Sequence, residues 1–350
     1  MIMADHTDRI LVGDPAEYRV RIGAMLSGGW PYIDVPFEHL PVMLIPMFGA
    51  WFLGGSASQS VYVVTFAALM SMVLALTAPV IDSVGELLGT RRAGSRWLAM
   101  TLPLIPLVIF RNDPVVVLLF AIACLLFLAD REGWVAWAVA GALAKGWPAA
   151  LGLVTWRRHR LKSLVVALSG AVAVGWTLLP GFTAARGAIG IHAETLLGSA
   201  VGLWRIASGL PSGVQVTTAA YLPVASWMLA ANALVGVGIV VVGVRAIVRT
   251  TDRRSQFAAL GVVVSGIILA SQLFSLQYVL WLTPFLAVGR RPRLVALGSL
   301  LGALTLALGF VWDEALFDRV WLYGLFSLRN LMVLMAAAWL VADARAAATS

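Results

Sequence analysis

Apolar residues along this chain gather into runs, and polar residues gather into short clusters between them. The runs cover 58–81, 97–110, 114–129, 162–181, 221–246, 256–274, 277–289, 294–312 and 321–342. A helix of ~20 apolar residues spans the hydrocarbon layer, because it satisfies its own backbone hydrogen bonds there. The pattern therefore predicts an all-α, polytopic transmembrane helical bundle with about nine crossings. Two of the runs, 97–110 and 277–289, are short for a span, which predicts a thinned or water-reached core near their ends.

The polar punctuation sets the expected threading. The basic clusters "TRRAGSR" (90–96), "WRRHRLK" (156–162), "RAIVRTTDRR" (245–254) and "GRRPR" (289–293) are assigned to the cytoplasmic side. Nine crossings then leave the N-terminus outside and Arg345 inside. Two further runs do not fit as full spans and are expected to be re-entrant hairpins. One lies near 40–54; the other lies near 133–156 and is broken at Lys145, Gly146 and Pro148. Hairpins of this kind survive at membrane depth where protein or a watery cavity covers the turn. The expected organisation is an outer-face segment over 1–39, with an interfacial helix, and a transmembrane domain over 40–350 that includes an outer loop at 182–220.

Composition agrees with a membrane protein. Of 350 residues, 61% are hydrophobic and 12% charged, against about a quarter charged in soluble domains. Mean hydropathy is +0.91. The net charge of +8 does not indicate a nucleic-acid partner, since the basic residues sit in the inter-run clusters. The single cysteine, Cys124, rules out an internal disulfide. The opening "MIMADHTDRI" lacks the apolar core of a signal peptide. No internal repeat of the kind expected in many secondary transporters is evident.

Candidate chemistry comes from polar residues that this threading brings to one face. The stretch "IPLVIFRNDPVVVLLF" sets Arg111, Asn112 and Asp113 at an outward turn, with Pro114 opening the next helix. Asp14, Glu17, Glu38 and His39 fall in the outer segment. Lys145 falls near a hairpin tip, His192, Glu194 and Arg205 in the outer loop, and Gln277 and Tyr278 at the turn "FSLQYVLW". Ionisable groups beside membrane segments are functional candidates. Structural roles compete at each position. "DPAE" reads as a helix start, with Asp14 as N-cap, Pro15 at N1 and Glu17 at N3, followed by an apolar stripe of Tyr18, Ile22, Met25 and Leu26. Arg111 and Asp113 can pair with each other, Lys145 can snorkel, and Glu38 and His39 can mark the start of a membrane segment. His192 can be a structural loop histidine, while His159 reads as solvated.

No HExxH, CxxC, P-loop, dinucleotide glycine signature or D-x-D pair is present, so neither a cofactor nor a metal is indicated. Cations at an outer rim suit a lipid phosphate whose chain runs among the helices. A facing carboxylate can take a proton from an attacking hydroxyl, and the cations can stabilise a departing phosphate.

Four stretches, in order, resemble the GT-C glycosyltransferases. They are "GDPAEYRVRIGAMLSGGWPYIDVPFEHLPVMLIP", "RNDPVVVLLFAIACLLFLADREGWVAWAVAGALAKGWPAAL", "IHAETLLGSAVGLW" and "FSLQYVLWLTPFL". The resemblance runs from about residue 13 to 290 and is closest to the branch of α-mannosyltransferases that use polyprenyl-phosphate mannose. It implies transfer of a hexose, with inversion, from a polyprenyl-phosphate sugar donor to a lipid or glycan acceptor. The setting it implies is the extracytoplasmic face of a bacterial plasma membrane, among membrane lipids. By position it makes Asp14 the general base and gives Arg111, Lys145 and His192 the donor phosphate. Gln277 and Tyr278, with Glu38, His39, Asn112 and Asp113, then line the substrate pocket. Such enzymes carry a transmembrane helix before the acidic loop, whereas thirteen residues precede Asp14 here, which implies a misplaced start or a lost helix. The loop also has one acid where a paired motif is usual. The rival readings are a transporter or flippase for a lipid-linked or anionic substrate, and an inactive scaffold subunit.

Overall fold

A computed structural model describes residues 2–180, 191–216, 220–222, 226–271, 275–311 and 316–346. The described residues are 79% helical with almost no strand. Among the described residues, five helices are long and apolar enough to cross a membrane: Gln59–Leu87, Trp227–Arg249, Arg253–Ala270, Pro292–Phe310 and Val320–Ala346. They coincide with five of the nine expected runs. The chain divides into two compact units, one of Met1–Leu98 with Ile105–Arg186, the other of Ala99–Leu104 with Gly187–Ser350.

The first unit opens with α1 (Ile2–Leu26), in which Pro15 is internal. The expected N-cap at Asp14 is therefore incorrect. The helix already runs through "HTDRILVG" ahead of it, and Pro15 sits inside it, lacking an amide donor and crowding the carbonyl one turn earlier. After a loop held by Trp30, whose carbonyl accepts from the amides of Ile33, Asp34 and Val35, a short helix covers Pro41–Gly55. It contains α2 (Leu44–Ala50) and ends in a π-turn where Gly54 takes φ +118°. Over the stretch expected as a hairpin, 40–54, the break in the helix falls at the end of the run, where glycine permits it. Arg19 of α1 holds that end, donating to the carbonyls of Gly55 and Ser56 at 3.1 Å each.

Helix α3 (Gln59–Leu87) starts on a Ser58 cap. The expected crossing at 97–110 is broken into α4 (Ala93–Thr101), a 3-10 turn and α5 (Ile105–Val108), because Pro103 and Pro106 interrupt the hydrogen-bond ladder; its Ala99–Leu104 stretch belongs to the second unit. Helix α6 (Asp113–Leu128) and α7 (Trp134–Lys145) follow. Gly146, at φ +74°, then turns the chain so that a 3-10 segment (Trp147–Ala150) leads into α8 (Leu151–Thr155). A Cβ at Gly141 would meet Pro148 at 3.1 Å, so this segment folds back on α7. Helix α9 (Arg160–Trp176) completes the unit. Lys162 reaches Glu132 at 2.7 Å, and His159 packs edge-on against Phe127, so the 156–162 cluster lies at the α6–α7 turn. Residues 182–190 and 217–219 of the expected outer loop are outside the described residues.

The second unit contains the short antiparallel strands β1 (Ile191–His192), β2 (Gln215–Val216) and β3 (Ala220–Leu222), in the order β1-β3-β2. Its helices are α10 (Leu196–Ala207), α11 (Ser226–Arg249), α12 (Arg253–Ala270), α13 (Thr283–Val288), α14 (Pro292–Phe310) and α15 (Val320–Ala346). The expected crossing at 277–289 is a 3-10 helix (Leu276–Trp281) followed by α13, opened by Pro284.

α12 is the buried centre, with 78% of its apolar window covered, whereas α11 has only 17% covered. α11 presents Trp227, Leu234 and Val248 outward, the pattern of a helix facing lipid. Its inner face carries Gly236 and Gly243, which lie against Ala270 and Val263 of α12. Small residues let two helix backbones approach where lipid supplies no hydrophobic drive.

This packing makes a test. A side chain at Gly266 would meet the Gly236 carbonyl oxygen at 2.7 Å, whereas one at Gly238 meets nothing within 4 Å. Gly266→Val should destabilise the protein by about 1–3 kcal/mol, lowering its melting temperature in detergent, while Gly238→Val should leave it unchanged. Equal effects would mean that the α11–α12 contact is loose.

Candidate functional site

The first unit gathers most of the predicted site. One turn apart on α1, Asp14 and Tyr18 share a face, and the Tyr18 hydroxyl donates to the Asp14 carboxylate at 3.2 Å. The Tyr18 ring is buried between Phe66 at 5.5 Å and His39 at 5.1 Å. The turn between α5 and α6 delivers Arg111, whose guanidinium pairs with Asp14. Asp113 begins α6 and lies 3.3 Å from Lys145, the last residue of α7. An acid in the first turn of one helix and a cation in the last turn of another suit both helix dipoles. His39 is 3.8 Å from Glu38.

Arg111 therefore pairs with Asp14, not with Asp113 alone, and Lys145 is tied to a carboxylate instead of simply snorkelling. Burial lowers the Arg111 pKa, but the charge and hydrogen bond of Asp14 more than offset it, so Arg111 stays charged. Burial, reinforced by Asp14, pushes the Tyr18 hydroxyl well above its ordinary range; it is a proton donor here, not a phenolate.

The cluster is neither fully buried nor open. The Asp14 side chain is 34% exposed and that of Lys145 20%, while that of Asp113 is 2%. Asn112 stands out. It is 2% exposed, and neither its amide nitrogen nor its oxygen has a hydrogen-bond partner among the described residues. A buried amide left unsatisfied costs about 1–3 kcal/mol, which is the usual mark of a group reserved for a ligand or water.

The remaining predicted residues belong to the second unit. Gln277 and Tyr278 lie in the 3-10 helix that follows Ser275. The Ser275 hydroxyl donates to Gln277 Oε1 at 2.5 Å, and the Tyr278 ring stacks on Trp281 at 4.1 Å. Phe274, at the start of the quoted turn, is outside the described residues. His192 sits on β1, paired across to Tyr221. It is buried, and burial, helped by the Arg329 charge, pulls its pKa down to about 3. It offers a neutral imidazole, with one N–H to donate.

The sequence reading missed what surrounds His192. Arg329, fully buried on α15, donates to Glu194 Oε2 at 2.5 Å and to the Glu194 carbonyl at 3.0 Å. Asn330 donates to the same carbonyl at 3.0 Å and to Ser199 at 3.2 Å. His192 Nδ1 is 3.7 Å from Glu194. Burial pushes the Glu194 carboxyl up to about 7 while Arg329 pulls it back. The signal was present, an Arg-Asn pair inside the run "LFSLRNLMVL", and intramembrane charges of this kind need a named partner. Among the described residues, no three of His, Cys, Asp and Glu group as metal ligands.

Comparison of the chain with protein-family models, curated proteins and solved structures finds no match.

Two outcomes follow from the second cluster. Arg329→Met leaves Glu194 buried without its cation and should cost about 3–5 kcal/mol, with much of the loss recovered in Arg329→Met/Glu194→Gln; a double-mutant cycle on thermal unfolding reads this. His192 has a folded pKa below its ordinary 6.5, so the unfolded chain binds the proton more tightly. Its contribution to stability is complete above pH 6.5 and is lost as pH falls from 6.5 toward 3. His192→Asn should flatten that part of the melting-temperature profile, and an unaltered slope would show that His192 is not held neutral.

Proposed function

We propose that the protein is a membrane glycosyltransferase of the GT-C kind, moving a hexose, mannose first, from a polyprenyl-phosphate donor to a lipid or glycan acceptor. The single observation that supports this reading is the cluster in the first unit. A carboxylate with a tyrosine donor, two carboxylate-paired cations and a buried unpartnered amide come together from α1, the α5–α6 turn and the end of α7.

In this reading the acceptor hydroxyl attacks the anomeric carbon from the face opposite the phosphate. The carbon–oxygen bond to phosphate breaks with inversion, the phosphate leaves with the bonding pair, and Asp14 takes the hydroxyl proton. Arg111 and Lys145 stabilise charge on the departing phosphate. Both are held by carboxylates at rest, so donor binding exchanges one anion for another and does not bury a bare cation. Asn112 satisfies a sugar or acceptor hydroxyl. The five long helices with the shorter ones between them make up the proposed nine crossings, with this cluster on the extracytoplasmic side of a bacterial plasma membrane.

A transporter using the same charges remains the rival, and turnover separates the two. Purified protein given polyprenyl-phosphate mannose, glucose or pentose and membrane lipid acceptors should form a glycosylated product. Asp14→Asn should lower that rate by about 10²–10⁴-fold, with donor binding and protein level nearly intact. Wild-type turnover by this variant would remove Asp14 from the base role; movement of donor across vesicles with no product from any pairing would favour transport.

A further inference from the structure

The second unit holds a recess whose lining includes none of the residues assigned above. Arg249 ends α11 and Arg253 begins α12, while Pro292 begins α14 and Asp343 lies in the last turns of α15. These ends are tied together: Arg254 Nη2 donates to the Val288 carbonyl at 3.2 Å, and the Arg290 amide donates to Asp343 at 2.9 Å. The recess between them is shallow, with an enclosed volume of only about 10 Å³; it opens to solvent and is lined by Arg254, Arg290, Asp343, Phe257, Phe285 and Val288.

Its charge is one-sided. Asp343 is engaged by Arg291 at 2.8 Å as well as by the Arg290 amide. Asp252 is occupied as the α12 cap, accepting from the amide and hydroxyl of Ser255 at 2.8 Å each. The acids are thus committed, while Arg249, Arg253 and Arg293 add further positive charge at the same helix ends. Arg290 is exposed and carries its charge at the mouth. The floor is apolar, with the Phe257 and Phe285 rings 4.9 Å apart, and it continues into the buried face of α12.

Guanidinium groups over an apolar floor match one ligand class, a phosphate carried by an apolar body. Arginine suits phosphate because its planar fork donates two parallel hydrogen bonds, and basic pockets between membrane helices take anionic head groups. We propose that this recess binds the phosphate of an anionic ligand, the head group of an acidic phospholipid seated at the ends of α11, α12, α14 and α15. The site does not depend on glycosyl transfer.

The test uses the full-length protein in neutral detergent, read by native mass spectrometry. Phosphatidylglycerol and phosphatidylcholine are added at equal concentration, and inorganic phosphate is the soluble competitor. Phosphatidylglycerol should be retained in preference. Retention should fall about fivefold for each arginine removed, in Arg290→Gln, whose exposed side chain leaves the fold intact, and further in Arg254→Gln/Arg290→Gln. Arg157→Gln/Arg158→Gln removes two exposed arginines from a different basic cluster and should change nothing. Displacement of the lipid by inorganic phosphate would support the site and assign it to soluble phosphate; persistence of the lipid would assign it to the head group. Equal retention of the two lipids, or an equal loss in the Arg157/Arg158 variant, would reduce the cluster to diffuse surface charge and overturn the proposal.

Discussion

A guanidinium removed from water needs a carboxylate within reach, and much of the polar architecture of this protein follows from that requirement. Taking an arginine into a low-dielectric setting costs several kcal/mol, repaid only by close pairing and further hydrogen bonds. Arg111 meets Asp14 and the Tyr18 hydroxyl joins them. Arg329 meets Glu194, and Asn330 secures the same backbone carbonyl. Each pairing fixes elements distant in sequence. The first joins α1 to the turn before α6, and the second joins α15 to the segment between β1 and α10.

The opposite constraint acts on the outer surface. Helix α11 leaves its large aliphatic residues uncovered because lipid takes the place of a protein neighbour, and puts its glycines where α12 must come close. Breaks in helices then fall beside charged residues. Gly146 stops α7 at Lys145, and Pro114 opens α6 beside Asp113. A charged residue at a helix end can use the helix dipole and a partner at once, which a residue in mid-helix cannot.

The two polar clusters differ in what they can do. The one around Asp14 retains partly exposed charges and an amide with unmet hydrogen-bonding capacity, so it has something to offer a ligand. The one around Arg329 is closed: its carboxylate is bonded from several sides and its histidine is neutral. Burial separates a site from a brace, even where the residue types are the same.

Helix, membrane affinity and the grouping of Asp14, Arg111, Asp113 and Lys145 were legible in the chain, because apolar run length and charges at run ends are local properties. The partner of each charge was not. Nothing in "FRNDP" says that Arg111 turns to Asp14 while Asp113 turns to Lys145, nor that "SLRN" holds Glu194. The "DPAE" stretch reads as a helix start in isolation, yet α1 passes through it with Pro15 inside the helix. Pro103 and Pro106 break the 97–110 run that was expected to cross unbroken, and Gly54 puts the break of the 41–55 run at its end. Sequence alone determined which segments are apolar enough to cross a membrane and which residues are too polar to face lipid. Tertiary structure decided who neutralises whom, because charge pairing depends on distances across the fold that no local pattern encodes.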